Sequence, residues 1–282
     1  SSATTSYECT IGDNSITKFR VPGINFTVKD TTATNGYVLT VDANGEAGWA
    51  SAGGGGTATT NLTAFGSTAA DSITSGSENT AFGAKALTGC TSGGANVAIG
   101  HESLENLTTG EHNIAIGHSA MGSCNADVSE NVAIGHRALR DSEGNDNTGV
   151  GAWSLTATLT GVKNTALGKD SLKANTTGGY NTAVGHRAGY AVTTGSNNVF
   201  MGESAGQAIT TAVTNIGIGY YALSAATTAN DCTAIGAWAL SSNTATGNTA
   251  FGSDALRANT SGNFNTALGQ NTFKVATTGT QN

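Results

Sequence analysis

The chain has 282 residues, of which 40 are Gly and only 1 is Pro, and charged residues make up 11%, well under half the usual share of about 25%. Its formal net charge is −7 and its 12 Lys and Arg form no cluster. Nucleic acid is therefore not an expected partner, because a polyanion calls for a basic stripe. No apolar run approaches the ~18 residues of a membrane-spanning helix, so membrane insertion is not expected either.

In chain order, residues 1–52 read as a small β connector module. Lys18 to Val28 is a strand broken by Pro22-Gly23, and Asn35 to Trp49 is a hairpin with Asn44-Gly45 at a type I′ turn. Residues 53–60, opened by Gly53–Gly56, form a flexible linker. Those glycines lack the following Lys-Ser/Thr of a phosphate loop. The chain opens at Ser1 with neither Met nor signal peptide, and Asn282 falls where a fourteenth coil would begin. It is therefore expected to be a segment of something longer.

From residue 61 to 282 the sequence repeats. Glycine recurs at 66, 83, 100, 117, 135, 151, 168, 185, 202, 219, 236, 252 and 269. The interval is 17 residues, apart from an 18 and a 16 that cancel around Gly135 and one 16 before Gly252. Four residues before the glycine stands a column of Asn: Asn79, Asn96, Asn113, Asn131, Asn147, Asn164, Asn181, Asn198, Asn215, Asn248 and Asn265, with Leu62 and Cys232 as exceptions. Then come a β-branched residue, a residue that is nearly always Ala, and a large apolar one. This pattern predicts a short strand, ended by a glycine that allows a bend or a tight backbone approach. Three residues after the glycine stands Ala, Ser or Thr, four after it usually Leu, and then comes turn material such as Thr108-Thr109-Gly110.

Such a strand cannot bury an apolar side alone, but stacked coils can. The fold class expected is all-β: a parallel β-solenoid of 13 coils with a ~17-residue period, about 60 Å long at ~4.8 Å per coil. Its core is expected to hold the Leu after each glycine, as at Leu87, Leu104, Leu139 and Leu155, together with the large residue before it: Phe82, Ile99, Ile116, Ile134, Leu167, Ile218 and Ile235. The Ala column (Ala98, Ala115, Ala133) then points outward towards a flat partner, and Phe200 widens that contact locally. Where Gly189 and Gly206 replace the Leu, Val192 and Ile209 are expected to refill the core. The Asn column reads either as a ladder of stacked amides along the axis or simply as a turn starter.

Sites of chemistry are sparse. Cys90 and Cys124 share a column two coils apart, ~10 Å, beyond disulfide reach, and read with Cys9 and Cys232 as small hydrophobes rather than redox or metal residues. His101, His118 and His136 follow the glycine in consecutive coils. Stacked imidazoles could hold a metal, but with no supporting carboxylate column they read as surface decoration. The aromatic slots (Trp153, Tyr220, Tyr221, Trp238) show no evident cluster. No calcium-binding Gly-Gly-x-Gly-x-Asp repeat is present, the Thr80 column is too interrupted by Val97 and Ile114 for an ice-binding face, and no matched carboxylate pair marks a glycosidase. No catalytic residue, metal ligand or cofactor is assigned, and ligand-binding residues stay open.

Asn96-Val-Ala-Ile-Gly-His-Glu-Ser103 and Asn131-Val-Ala-Ile-Gly-His-Arg-Ala138 resemble the head repeat of trimeric autotransporter adhesins. Asn79-Thr-Ala-Phe-Gly and Asn265-Thr-Ala-Leu-Gly are more similar still to repeats of phage tail fibres and of surface proteins of large algal viruses. Residues 1–52 resemble connector modules of phage tail proteins, particularly of phages infecting marine cyanobacteria. The resemblance over residues 61–282 implies a left-handed β-roll with three chains packed about one axis. Adhesin head coils are shorter, so the extra residues here would form a longer outer turn. The implied function is the non-enzymatic shaft of a viral fibre on the virion surface. Its partners would be itself as a homotrimer, other virion or tail proteins, and a host receptor engaged by a tip outside this segment. The alternatives are a bacterial outer-surface adhesin head and a polysaccharide-degrading tailspike.

Overall fold

The structure, a computed structural model, describes residues 37–41, 47–51, 62–124, 127–275 and 278–281. The chain divides into two compact units, Ser1–Ala50 and Ser51–Asn282. Strands β1 (Tyr37–Val41) and β2 (Ala47–Ser51) pair in a two-stranded sheet. The expected strand at 18–28, the turn at Asn44-Gly45 and the Gly53–Gly56 joint lie outside the described residues.

The second unit is a parallel β-solenoid. Thirteen three-residue strands, from β3 (Thr63–Phe65) to β15 (Thr266–Leu268), form one sheet in strict chain order. Register follows the repeat, so Thr80, Ala81 and Phe82 face Val97, Ala98 and Ile99 one coil on. The ladder bonds run both ways along the axis: Ile114 N–H donates to Asn131 O (2.8 Å) and Gly117 N–H to Ile99 O (2.7 Å). The described residues contain no helix.

Each strand ends at a glycine whose φ lies between +116° and +139°, where a side chain is strained. Space is short as well. A Cβ on Gly117 would lie 2.6 Å from the carbonyl oxygen of Gly135 one coil on. Two or three further residues of each coil sit in the left-handed region without being glycine, for example Glu102 (+58°), Leu104 (+49°) and His112 (+58°). Each such residue costs about 1–2 kcal/mol intrinsically. The conformation persists because it aims successive N–H groups at opposite neighbours. Glu102 donates back to Ala84 O and Leu104 donates forward to Ala120 O, both at 3.1 Å. Between them, Ser103 N–H closes a β-turn onto Gly100 O at 3.3 Å.

The Leu after the glycine fills the coil interior as expected, but the facing of the strand is the reverse of the sequence expectation. The Ala column is fully buried: Ala81, Ala98, Ala115 and Ala133 are all 0% exposed. The large residues beside it face out, with Phe82 52%, Ile99 38%, Ile134 37% and Leu167 48% exposed, while Ile116, Ile218 and Ile235 are half-buried. The reason is the thinness of the coil. Leu87, Leu104, Leu139 and Leu155, from the turn after the glycine, fill the centre at 0% exposure. A Cβ on Gly149 in the Ala column would stand 3.3 Å from Leu139 Cγ, so two large side chains cannot face each other across the coil.

The coils around Phe200 show this volume rule directly. Phe200 is the one large residue of its column and is fully buried. The central slot holds Gly189 in the preceding coil and Gly206 in Phe200's own coil, and added Cβ atoms on both would collide with the Phe200 ring. The ring therefore occupies the space two Leu side chains fill elsewhere. Val192 and Ile209 are buried too, but the volume missing at the two glycines is filled by Phe200. It points inward and does not widen an external contact.

Candidate functional site

Three features of the solenoid could carry function, and each is positioned by the coil geometry. The first is internal. The Asn side chains are buried and form an amide ladder along the axis. Asn96 Oδ1 accepts from both the backbone N–H and Nδ2 of Asn113, each at 3.0 Å, and Asn96 Nδ2 donates to Gly110 O at 2.8 Å. The same contacts recur through Asn164, Asn181, Asn198 and Asn215. Cys232 interrupts the column. Asn243 compensates from another column, with Nδ2 3.4 Å from Cys232 Sγ and Oδ1 accepting from Asn248 Nδ2 at 3.2 Å. These residues tie coils together and offer nothing to solvent.

The thiols are equally enclosed. Cys90, Cys124 and Cys232 are free and buried. Burial pushes all three thiols up, Cys124 to about 12, so they are poor nucleophiles at neutral pH. Cys9 lies outside the described residues.

The second feature is the outer face of the thirteen-stranded sheet. Residues before and after each buried Ala alternate outward, giving two parallel columns of Thr, Val, Ile, Phe, Leu and Met with no charged member. Phe65, Phe82, Phe251 and Leu268 are more than half exposed. Phe65 and Phe82 stack at 5.1 Å.

The third feature is the stripe of residues one and two places after the glycine. Here coil stacking gathers side chains that are far apart in sequence. His101 and His118 stack at 5.2 Å, His118 and His136 lie 5.4 Å apart, and His136 meets the edge of Trp153 at 5.2 Å. Beside the histidines runs a shallow polar groove lined by Glu102, Glu105, Ser119, Gly122, Ser123, Arg137 and Arg140. Lys85 Nζ bridges Glu102 and Glu105 at 3.3 Å each. The Lys85 hydrogen bond holds the Glu102 carboxyl below its ordinary range. Arg140 grips Asp141 with two hydrogen bonds of 2.8 and 2.7 Å.

Further along the stripe, Tyr220, Tyr221 and Trp238 do form a cluster, with ring centroids 4.6 to 5.5 Å apart. The sequence expectation of scattered aromatics is overturned here. The missed signal was spacing: Tyr221 and Trp238 are 17 residues apart and hence stacked neighbours. Trp238 lies between Tyr221 of the preceding coil and Arg257 of the next, 4.8 Å from its ring. Trp153 is likewise held between Arg137 (4.7 Å) and Lys173 (5.1 Å). Both indoles have a neighbour in the coil before and the coil after, and Tyr220, 45% exposed, is the most exposed member of its cluster.

Neither a family model nor a curated protein nor a solved structure matches the chain.

Proposed function

We propose that this chain forms part of the shaft of a viral fibre that presents a receptor-binding tip, a phage tail fibre by the resemblance of its repeats. In this reading it is a homotrimer that transmits position and catalyses nothing. The observation that carries the reading is the charge-free face running along all thirteen strands, whose column before each glycine is wholly apolar. A large exposed apolar patch marks an interaction surface. A strip ~60 Å long and ~10 Å wide offers on the order of 600 Å² per copy, close to the ~800 Å² per partner of a stable interface. A second copy is the partner best matched to it, since it repeats the same side chains at the same spacing. The chain-to-chain contact is then made by Phe82, Ile99, Ile134 and Leu167, not by the buried Ala column.

A cell-surface adhesin head is the second reading, favoured by the Tyr220–Tyr221–Trp238 cluster, since aromatic side chains with polar tips are common at recognition surfaces. Immunogold labelling with antibodies to residues 61–282 separates the two. Labelled fibres on purified virions are expected. Label confined to a bacterial outer surface would replace the fibre reading with the adhesin.

A further inference from the structure

We infer that His101, Glu102 and His118 form a surface site for a transition-metal ion of the zinc, nickel or copper kind. Their ligand atoms, one from each side chain, all lie within 4.8 Å of one another. The fold makes this triad out of two coils. Stacking sets the imidazoles 5.2 Å apart. The left-handed backbone at Glu102 (φ +58°) carries its carboxylate across to the next coil, where Oε2 accepts from Ser119 Oγ at 3.2 Å. The same oxygen lies 3.7 Å from His101 Nδ1, and Ser119 Oγ lies 3.0 Å from His118 Nδ1. Carboxylate and both imidazoles therefore converge on one spot beside the Ser119 hydroxyl.

An ion holds N and O ligands at about 2.0–2.2 Å, which places two of its ligands about 3.3 Å apart in a tetrahedral arrangement. Contraction from 4.8 Å to that separation needs side-chain rotation only, because both histidines are exposed. Two imidazoles and a carboxylate leave a position for water and select zinc, nickel or copper over magnesium or calcium. Lys85, which now pairs with Glu102, touches Glu105 at the same 3.3 Å and keeps that partner when the carboxylate turns to the ion. The bound ion would clamp two neighbouring coils together. The inference is independent of the fibre reading.

The test is calorimetric titration of the full 1–282 chain with Zn²⁺, alongside His118→Ala, Glu102→Gln and the control His112→Ala, whose ring lies outside the triad. The expected result is one saturable zinc per chain and a melting temperature that rises with zinc. His118→Ala and Glu102→Gln should each weaken binding at least tenfold, His112→Ala should leave it unchanged, and Mg²⁺ should give no heat of binding. Absence of saturable zinc binding by the parent chain, or affinity retained in His118→Ala, would overturn the site.

Discussion

At the scale of the residue, the Asn column bears most directly on stability. Within the run Asn164 to Asn215 each amide bonds to the coil before it and to the coil after it, and these bonds are buried. In Asn181→Ala, Asn198 loses the acceptor of its backbone N–H (3.1 Å) and Nδ2 (3.0 Å), and Gly195 O loses a donor at 2.8 Å. Buried groups left unpaired cost about 1–3 kcal/mol each, so a loss of roughly 3 kcal/mol or more is expected in denaturant unfolding. A loss under about 0.5 kcal/mol would mean that the ladder is decorative. The Cys124 thiol gives a second expectation. Its folded value, pushed up to about 12 from an ordinary 9.0, disfavours the thiolate in the fold. Below pH 9 the thiol is protonated in both states and costs nothing. Between pH 9 and 12 the unfolded chain ionises and the folded chain does not, so stability falls as pH rises. A pH series of melting temperatures should show a shallower alkaline fall in Cys124→Ala than in the parent.

At the scale of the element, the repeat unit was legible and its orientation was not. The glycine spacing, strand position and coil count follow from the sequence because the glycine conformation admits no side chain and the register cannot drift. Which side of a three-residue strand faces inward is a different matter. Both sides are apolar, and bulk alone favoured Phe82 and Ile99 over Ala81 and Ala98. The decision belongs to the opposite wall, where Leu87 and Leu104 leave room only for methyl groups. The left-handed turns at Glu102 and Leu104 left no mark either, because coil-to-coil hydrogen bonding overrides local preference. Of the surface stripe, the stacked histidines were visible as a column. Glu102 was not visible as their companion, because its reach depends on that left-handed turn. The Phe200 coils test the volume rule. Phe200→Ala should cost about 3–5 kcal/mol through the cavity it leaves. Gly206→Leu should also destabilise, by collision with the ring. The triple change Gly189→Leu/Phe200→Ala/Gly206→Leu restores the arrangement of the other coils and should recover most of the loss. Additive losses in the triple variant would show that the ring and the two glycines are not exchanging volume.

At the scale of the whole solenoid, thirteen similar coils make stability nearly a sum of coil-to-coil interfaces, and the sheet offers one surface that the single chain leaves uncovered. The apolar residues on that surface contribute little to the fold of one chain, since they stay open to solvent. In the proposed homotrimer they would form the contact between copies. Multi-angle light scattering on the parent chain and on Ile134→Asp/Leu167→Asp measures this most directly. The parent is expected at three times the 28.0 kDa chain mass, and the double variant at one chain mass with an unchanged far-ultraviolet circular dichroism spectrum. A parent that runs at one chain mass, or a variant that stays associated, would contradict the assignment of this face as the interface between copies.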